Sequence, residues 1–234
     1  MLKNKIFMKI GIIVAMSKEF SQIQNLLSDC EQVVKGNYNY VTGTLHNKYI
    51  ILQHSGIGKV NAALGAENLI KDFSPDIIIS TGVAGGADTD LEVMDVVVSS
   101  SCAYHDVYCG TENEFGQVQD MPAKYPSPDY IIQATKSIKA KQRIVPGLIV
   151  TGDWFVDNTE KMKEILSHFP QAKAVDMESC AIAQTTYLHN IPFCSFRIIS
   201  DIPLKPNNKK QYYDFWSEIA DSSFQITKQF IEKI

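Results

Sequence analysis

The chain has 234 residues, of which 45% are hydrophobic and 21% are charged, and its formal net charge is −4. These values predict one globular domain over residues 1–234 and exclude a disordered or coiled-coil protein. The acidic balance, without a block of Lys or Arg, argues against binding to nucleic acid or to a membrane surface, and no apolar stretch is long enough to span a bilayer. Five scattered cysteines without CxxC spacing predict a reducing, cytoplasmic compartment, with neither disulfides nor a zinc site.

Short β-branched runs alternate with amphipathic stretches from the start of the chain. Ile10–Val14 predicts a buried strand, which explains this apolar run better than a signal peptide does. The following helix is predicted to be capped by Ser17. The next predicted elements are a hairpin of Tyr38–Leu45 and Tyr49–Gln53, a helix over Asn61–Phe73, a strand over Asp76–Ser80 and a glycine-rich turn over Thr81–Ala87.

The same alternation continues through the rest of the chain, interrupted by one long polar loop over Asp106–Pro128. A loop of this length in a compact domain is usually functional or lies at an interface. The remaining predicted strands are Val93–Cys102, Leu148–Thr151, Ala174–Met177 and Phe193–Ser200, and the remaining helices are Asp129–Ala140, Thr159–Phe169, Glu178–His189 and Gln211–Ile234, with a polar loop over Asp201–Lys210. This order predicts a parallel or mixed sheet covered on both faces, with ligands beyond the carboxyl ends of the strands.

Three carboxylates lie at or just after predicted strand ends: Glu19, Glu178 and Asp201. Taken singly, each is also explained as an ordinary helix-start or turn residue. Together they suggest an acid, a base and a group that binds hydroxyls, which suits cleavage of a glycosidic-type bond through an oxocarbenium-like transition state. His105 could act as a base, but a structural, hydrogen-bonded histidine is the favoured interpretation.

Two glycine-rich segments, Ser55–Gly58 and Gly82–Gly86, could present backbone N–H groups to a ligand or form tight turns alone. Neither has the ending of a P-loop or the GxGxxG pattern. The chain has two arginines, Arg143 and Arg197, and neither is predicted near the first strand end or a glycine segment. Because free phosphate is usually bound by guanidinium groups, this shortage favours water over phosphate as the acceptor.

Six ordered segments cover nearly the whole chain: Lys9–Phe20 (KIGIIVAMSKEF), Ser55–Ala63 (SGIGKVNAA), Thr81–Gly86 (TGVAGG), Gly147–Phe155 (GLIVTGDWF), Val175–Gln184 (VDMESCAIAQ) and Arg197–Asp201 (RIISD). In this order and spacing they resemble the bacterial 5′-methylthioadenosine/S-adenosylhomocysteine nucleosidases, within the nucleoside phosphorylase superfamily. The resemblance implies a three-layer α/β/α sandwich around a mixed, partly barrel-like sheet. It also implies a homodimer that hydrolyses 5′-thioadenosine nucleosides to adenine and the thioribose without a metal or organic cofactor.

The resemblance implies roles for individual residues. Asp201 would be the general acid that protonates adenine N7, Glu19 would position or deprotonate the attacking water, and Glu178 would accept hydrogen bonds from the ribose hydroxyls. Phe155 would stack on the base, the Val156 backbone would contact its edge, and Met177 would pack beneath the sugar, while Ala84 and Gly85 would line the base and ribose. Ser200 would orient Asp201, and Arg197 would support Glu178 and the water. Ile57 would line the 5′-thio pocket, which Tyr212 or Tyr213 would close.

Some positions depart from the family pattern. The family usually has Ser or Cys at Val83, Glu at Asp176 (counted here among the binding residues) and a small residue at Trp154. The 107–122 loop, implied to lie near the partner subunit's site, is more polar than in the family. The alternatives are therefore a nucleosidase for another 5′-substituted nucleoside of the futalosine type, a purine nucleoside phosphorylase, or a nucleoside-binding protein. The retained carboxylates argue against a pure binding protein, which has little need for a water-activating group.

Overall fold

The computed structural model describes residues 7–219 and 224–234. The strands are β1 (Met8–Val14), β2 (Ser28–Lys35), β3 (Tyr38–Leu45), β4 (Lys48–His54), β5 (Ile77–Gly86), β6 (Val96–Tyr104), β7 (Tyr125–Pro126), β8 (Ile144–Thr151), β9 (Ala172–Asp176) and β10 (Phe193–Asp201). The helices are α1 (Ser17–Gln24), α2 (Lys59–Phe73), α3 (Asp129–Thr135), α4 (Thr159–His168), α5 (Ser179–Leu188), α6 (Asn208–Asp214) and α7 (Gln225–Lys233). A π-helical turn, Phe215–Ile219, follows α6 directly. No helix in the described part of the chain is long and apolar enough to cross a membrane.

All ten strands belong to one mixed sheet, in the order β10-β6-β8-β9-β5-β1-β4-β3-β2, with β7 paired to β6. A further parallel pairing between β5 and β10 closes β5, β10, β6, β8 and β9 into a barrel. Strand β1 runs parallel to both β4 and β5, while β3 and β2 extend the sheet as antiparallel strands. The α/β class and the mixed, partly barrel-like sheet predicted above are confirmed.

The core lies on both faces of this sheet, because successive residues of a strand point to opposite sides. On β1, Ile12 packs in the same cluster as Phe230 of α7, whereas its neighbour Ile13 packs in the cluster of Leu69 from α2. Each of these side chains is at most 1% exposed. The sheet is thus covered on both faces, and the loops at its carboxyl edge remain available for a site.

Several predicted elements differ from the observed ones. Ser17 is the first residue of α1 rather than its cap, since Met16 holds the cap position and Glu19 accepts its N–H. Strand β2 was not predicted because it is a largely exposed edge strand without an alternating apolar pattern. The predicted turn over Thr81–Ala87 is wrong, since β5 continues to Gly86 by pairing with β10 and then with β9.

The single long helix predicted over Gln211–Ile234 is also wrong. The described residues contain α6, the π-helical turn and α7 as separate segments, and residues 220–223 lie outside the described residues. The amphipathic pattern predicted one continuous helix because Phe215, Ile226 and Phe230, which belong to separate segments, pack into one core cluster. Smaller differences are the late start of β6, the early end of α3 and the early start of β8.

Candidate active site

A pocket of about 680 Å³, including its open mouth, lies at the carboxyl ends of the barrel strands. All the site residues predicted from the sequence line it: Glu19, Ile57, Ala84, Gly85, Phe155, Val156, Asp176, Met177, Glu178, Arg197, Ser200, Asp201 and Tyr212. Val83 and Trp154, noted above as departures, line it as well. Sequence reasoning missed Ala15, Met16 and Val175 as pocket residues. All three lie within the quoted motifs, and this position was the sequence feature that could have identified them.

Glu19 lies in the first turn of α1, immediately beyond the end of β1, and is 2% exposed. Its Oε2 accepts the N–H groups of Ala15 (3.1 Å) and Met16 (3.0 Å), and its Oε1 accepts the N–H of Val83 (3.0 Å). Burial raises the pKa of Glu19, while the charge of Arg197 and the three amide bonds act in the opposite direction. The carboxylate of Glu19 is therefore fixed between the segment that follows β1 and the backbone of β5.

Gly82 permits this arrangement. A Cβ at Gly82, whose φ is +148°, would lie 2.8 Å from Cδ of Glu19 and 3.0 Å from Nη1 of Arg197. The residue without a side chain thus lets the strand backbone approach both charged groups. This is also why the glycine-rich segment reads as a turn in the sequence although it forms a strand.

Arg197 is 1% exposed and forms an ion pair with Asp176, with Nη2 2.8 Å from Oδ2. The same nitrogen lies 3.6 Å from Oε2 of Glu178. Its hydrogen bonds go to the hydroxyls of Ser80, Ser179 and Ser195. The expectation that no arginine lies near a glycine segment is wrong, because the parallel pairing of β10 with β5 places Arg197 opposite Gly82.

Glu178 occupies the cap position before α5 and is 5% exposed. The N–H of Gly58, the cap residue of α2, donates to its Oε1 at 3.0 Å. Burial raises the pKa of Glu178, whereas Arg197 and the Gly58 N–H group act to lower it. Two helix N-termini therefore meet at this carboxylate.

Asp201 ends β10 and is 6% exposed. The Ser200 hydroxyl donates to its Oδ1 at 2.8 Å. The rings of Phe155 and Tyr212 stand edge to face at 5.4 Å in the same part of the pocket. Burial raises the pKa of Asp201 to about 6, against the opposing effect of the Ser200 hydrogen bond. A carboxylic acid with such a pKa can hold a proton close to neutral pH.

His105 does not line this pocket. It is 5% exposed, and neither ring nitrogen has a hydrogen-bond partner among residues 7–219 and 224–234, so the predicted hydrogen-bonded histidine is not found. Burial lowers the pKa of its imidazole. Across the same described ranges, no group of three or more His, Cys, Asp or Glu side chains could hold a metal ion.

Comparisons with known proteins agree with this geometry. A sequence model of the Phosphorylase superfamily matches residues 9–232. A 5′-methylthioadenosine/S-adenosylhomocysteine nucleosidase of Desulfotalea psychrophila is 39% identical over 230 residues, covering 97% of this chain and 98% of the relative. The structure of a nucleosidase of the same name from Neisseria meningitidis, in complex with methylthio-immucillin-A, has a TM-score of 0.90 at 34% identity, covering 97% of this chain and 100% of that one. Futalosine hydrolase of Helicobacter pylori has a TM-score of 0.88 at 27% identity, covering 98% and 99%.

Proposed function

Because this chain belongs to the 5′-methylthioadenosine/S-adenosylhomocysteine nucleosidases of the phosphorylase superfamily, we propose that residues 1–234 form a single domain that hydrolyses 5′-thioadenosine nucleosides to adenine and the thioribose. The observation that carries this proposal is the set of three buried carboxylates around one pocket: Glu19, Glu178 and Asp201. Each has different surroundings, which suits a division into water activation, ribose binding and acid catalysis.

In this mechanism the bond between the anomeric carbon and adenine N9 breaks while a bond from that carbon to water forms. Asp201 gives its proton to adenine N7, so that the base leaves neutral. Glu19 accepts a proton from the attacking water. Glu178 accepts hydrogen bonds from the ribose hydroxyls, and Met177 packs beneath the sugar, which places the reacting carbon between the acid and the water.

The surroundings of Arg197 support water rather than phosphate as the nucleophile. Its guanidinium is the cation among the described pocket-lining residues, and it is already paired with Asp176. An entering phosphate would also meet the carboxylates of Glu19 and Glu178. Lysines around the site are also engaged: Lys59 is paired with Asp106, Lys18 lies over the ring of Trp216, and Lys209, which lines an adjoining pocket with Asp201, is paired with Asp157.

A nucleosidase for a larger 5′-substituted nucleoside is the second candidate. The observation that favours it is the polar 107–122 loop, with an exposed Tyr108, together with the exposed Trp154 at the pocket. The similarity to a futalosine hydrolase is consistent with this candidate, but at lower identity than the similarity to the thioadenosine nucleosidases.

We also propose that the chain acts as a homodimer in the cytoplasm, with the 107–122 loop near the partner's site. Helices α2 and α5 pack together and expose large apolar side chains: Val60, Leu64, Tyr187 and Leu188. Apolar groups exposed together on one surface are typical of a protein interface. A dimeric mass in sedimentation that becomes monomeric on Leu64→Glu would support this assembly, and a monomeric wild type would contradict it.

The first experiment is incubation with 5′-methylthioadenosine, with and without phosphate, followed by identification of the products by mass. We expect adenine and free methylthioribose, independent of phosphate. Methylthioribose 1-phosphate that forms only with phosphate would establish a phosphorylase instead. Release of the purine base from a futalosine-type nucleoside but not from methylthioadenosine would favour the second candidate, and no base release from either would contradict catalysis.

A further inference from the structure

Three residues outside the pocket lining form a closed ring of contacts, which we call the clamp: Lys59, Asp106 and Asp153. The N–H of Lys59 donates to Oδ1 of Asp153 at 2.8 Å, and the N–H of Asp153 donates to Oδ2 of Asp106 at 2.8 Å. The ammonium of Lys59 closes the ring on the same oxygen of Asp106 at 2.7 Å. The clamp therefore joins the segments that follow β4, β6 and β8.

The clamp contacts the end of α2 that faces Glu178. Two consecutive backbone N–H groups at this helix N-terminus point to two different carboxylates: that of Gly58 to Glu178, and that of Lys59 to Asp153. The first N–H groups of a helix have no partner inside the helix, and the helix dipole favours negative charge there. Because only the backbone of Gly58 joins the two groups, the hydrogen bond of the second N–H to Asp153 restricts the direction of the first.

The backbone of Gly58 is matched to this contact. Its φ is +95°, a region that favours glycine, and a Cβ there would lie 3.0 Å from Oδ1 of Asp153. Gly152 has a similar role on the other side, since a Cβ there would lie 2.8 Å from Cγ of Asp106. The turn that carries Asp153 leads directly into Trp154 and Phe155, which line the pocket.

We propose that the clamp positions Glu178 for recognition of the ribose hydroxyls. It holds the Gly58 N–H group on Oε1 of Glu178, while Oε2 lies 3.6 Å from Nη2 of Arg197, so that both oxygens of this pocket-lining carboxylate have fixed positions. Lys59, Asp106 and Asp153 are thus positioning residues that act through Glu178. This inference rests on the proposed function and extends it to three residues that do not line the pocket. An ordinary, partly exposed ion pair would instead contribute only a small amount of stability.

The test compares Asp153→Ala with wild type on 5′-methylthioadenosine and its 2′-deoxyribosyl counterpart. We expect the ratio of the two kcat/KM values to fall about tenfold, mostly through the ribosyl substrate, because loss of a well-placed hydrogen bond to a charged group has this size. Asp153→Asn keeps an acceptor oxygen and should restore most of the ratio. The matched control is Asp88→Ala, since Asp88, like Asp153, accepts a backbone N–H and lies outside the pocket lining, but its partners are Asp90 and Lys173 rather than the N-terminus of α2.

A double-mutant cycle with Glu178→Gln separates positioning from general stability. If the clamp acts through Glu178, Asp153→Ala should change the ratio less than twofold when Glu178 is already Gln. An unchanged ratio in Asp153→Ala, an equal effect in both backgrounds, or an equal loss in Asp88→Ala would overturn the proposal. If Asp153→Ala does not fold, as judged by circular dichroism, Asp106→Asn is measured in the same cycle.

The same ratio is measured for binding, as the calorimetric Kd of adenosine and 2′-deoxyadenosine. A wild type that releases no adenine but discriminates between these two probes would contradict the proposed function. The clamp would then be supported if Asp153→Ala lowers the ratio of the two Kd values, and contradicted if the ratio stays unchanged. A wild type that binds both probes equally well, or neither of them, would overturn the clamp.

Discussion

The two ends of the pocket, proposed above to bind the base and the ribose and called here the base end and the ribose end, surround their buried carboxyl groups with different donors. At the base end, Asp201 lies beside one serine hydroxyl and the rings of Phe155 and Tyr212. At the ribose end, Glu19 and Glu178 share the neighbourhood of Arg197 with Asp176 and receive backbone N–H groups. Both ends are almost closed to solvent, so the contrast lies in the donors rather than in burial.

Because of this difference, the groups that oppose the effect of burial on protonation are not the same for the three carboxyl groups. Burial alone favours the neutral form of a carboxyl group, which keeps the pKa of Asp201 near 6. At the ribose end burial also raises the pKa values of Glu19 and Glu178, that of Glu178 to about 7, while a buried guanidinium and fixed amide donors act to lower them. Four changes would break or sharpen this comparison.

The largest effect is expected for Asp201→Asn. The amide cannot deliver a proton to the base, so kcat should fall by at least about 10²-fold, the lower range for loss of general-acid catalysis. Steady-state release of adenine measures this effect. Asp157→Asn, which changes a nearby carboxylate that does not line the main pocket, should keep kcat within a few-fold. Near wild-type turnover of Asp201→Asn would contradict the assignment.

Asp201→Asn also tests the surroundings of this carboxyl group through the pH dependence of the thermal stability of the protein. The pKa of Asp201 in the folded chain, about 6, lies above its ordinary value of 3.8. The stabilising effect of its proton is therefore complete below pH 3.8 and is lost as the pH rises through about 6. Asn removes this dependence, so at pH 8 thermal melting of the variant should occur at a higher temperature than that of the wild type.

Gly82→Ala should have the next largest effect, because the added methyl group meets both Glu19 and Arg197. We expect kcat to fall about 10–100-fold, since small misplacements of catalytic groups have effects of this order. Gly36→Ala is the matched control: its φ is +58°, but a Cβ there has nothing within 4 Å. Equal losses in both variants would mean that backbone strain, rather than the contact with Glu19, is responsible.

Glu178→Gln addresses the ribose end with a smaller effect. Since Gln keeps the shape but loses the charge, discrimination between ribosyl and 2′-deoxyribosyl substrates should fall about tenfold. The ratio of kcat/KM values for the two substrates is the measurement. A variant that discriminates as well as the wild type would show that another group binds the hydroxyls. Glu67→Gln, on the surface and paired with Lys71, should leave the ratio unchanged.

The smallest effect is expected for Ser200→Ala. Catalysis needs the protonated acid, so kcat/KM of the wild type should decline as the pH rises above about 6. The Ser200 hydrogen bond lowers the pKa of Asp201, and its loss should move this decline to higher pH. A pH profile of kcat/KM checks the direction. An unmoved profile, or one displaced to lower pH, would contradict the assignment of the acid to Asp201.

The alternation of apolar runs predicted most strands and helices because buried strands and amphipathic helices have distinct periods. It failed for β2, an exposed edge strand, and at the interruption before α7, where the apolar pattern continues across separate segments. The three carboxylates could be predicted because they follow strand ends, and the ends of neighbouring strands meet at one edge of the sheet, whereas the other site residues were assigned by resemblance. Arg197 could be assigned by resemblance, but its position beside Gly82 could not be derived from the sequence, since it depends on the register of β10 against β5.

The sequence by itself determined the α/β class, the family and the identities of the three carboxylates, because these are carried by local periodicity and by short ordered motifs. The tertiary structure decided the chemical environment of each carboxylate. Closure of the barrel by β5 and β10 places Arg197 between Glu19 and Glu178, and three separate turns bring Lys59, Asp106 and Asp153 together. Such contacts join residues about 20 to 180 positions apart in the chain. Their distances and their burial, and hence their proton affinities, exist only once the sheet has closed.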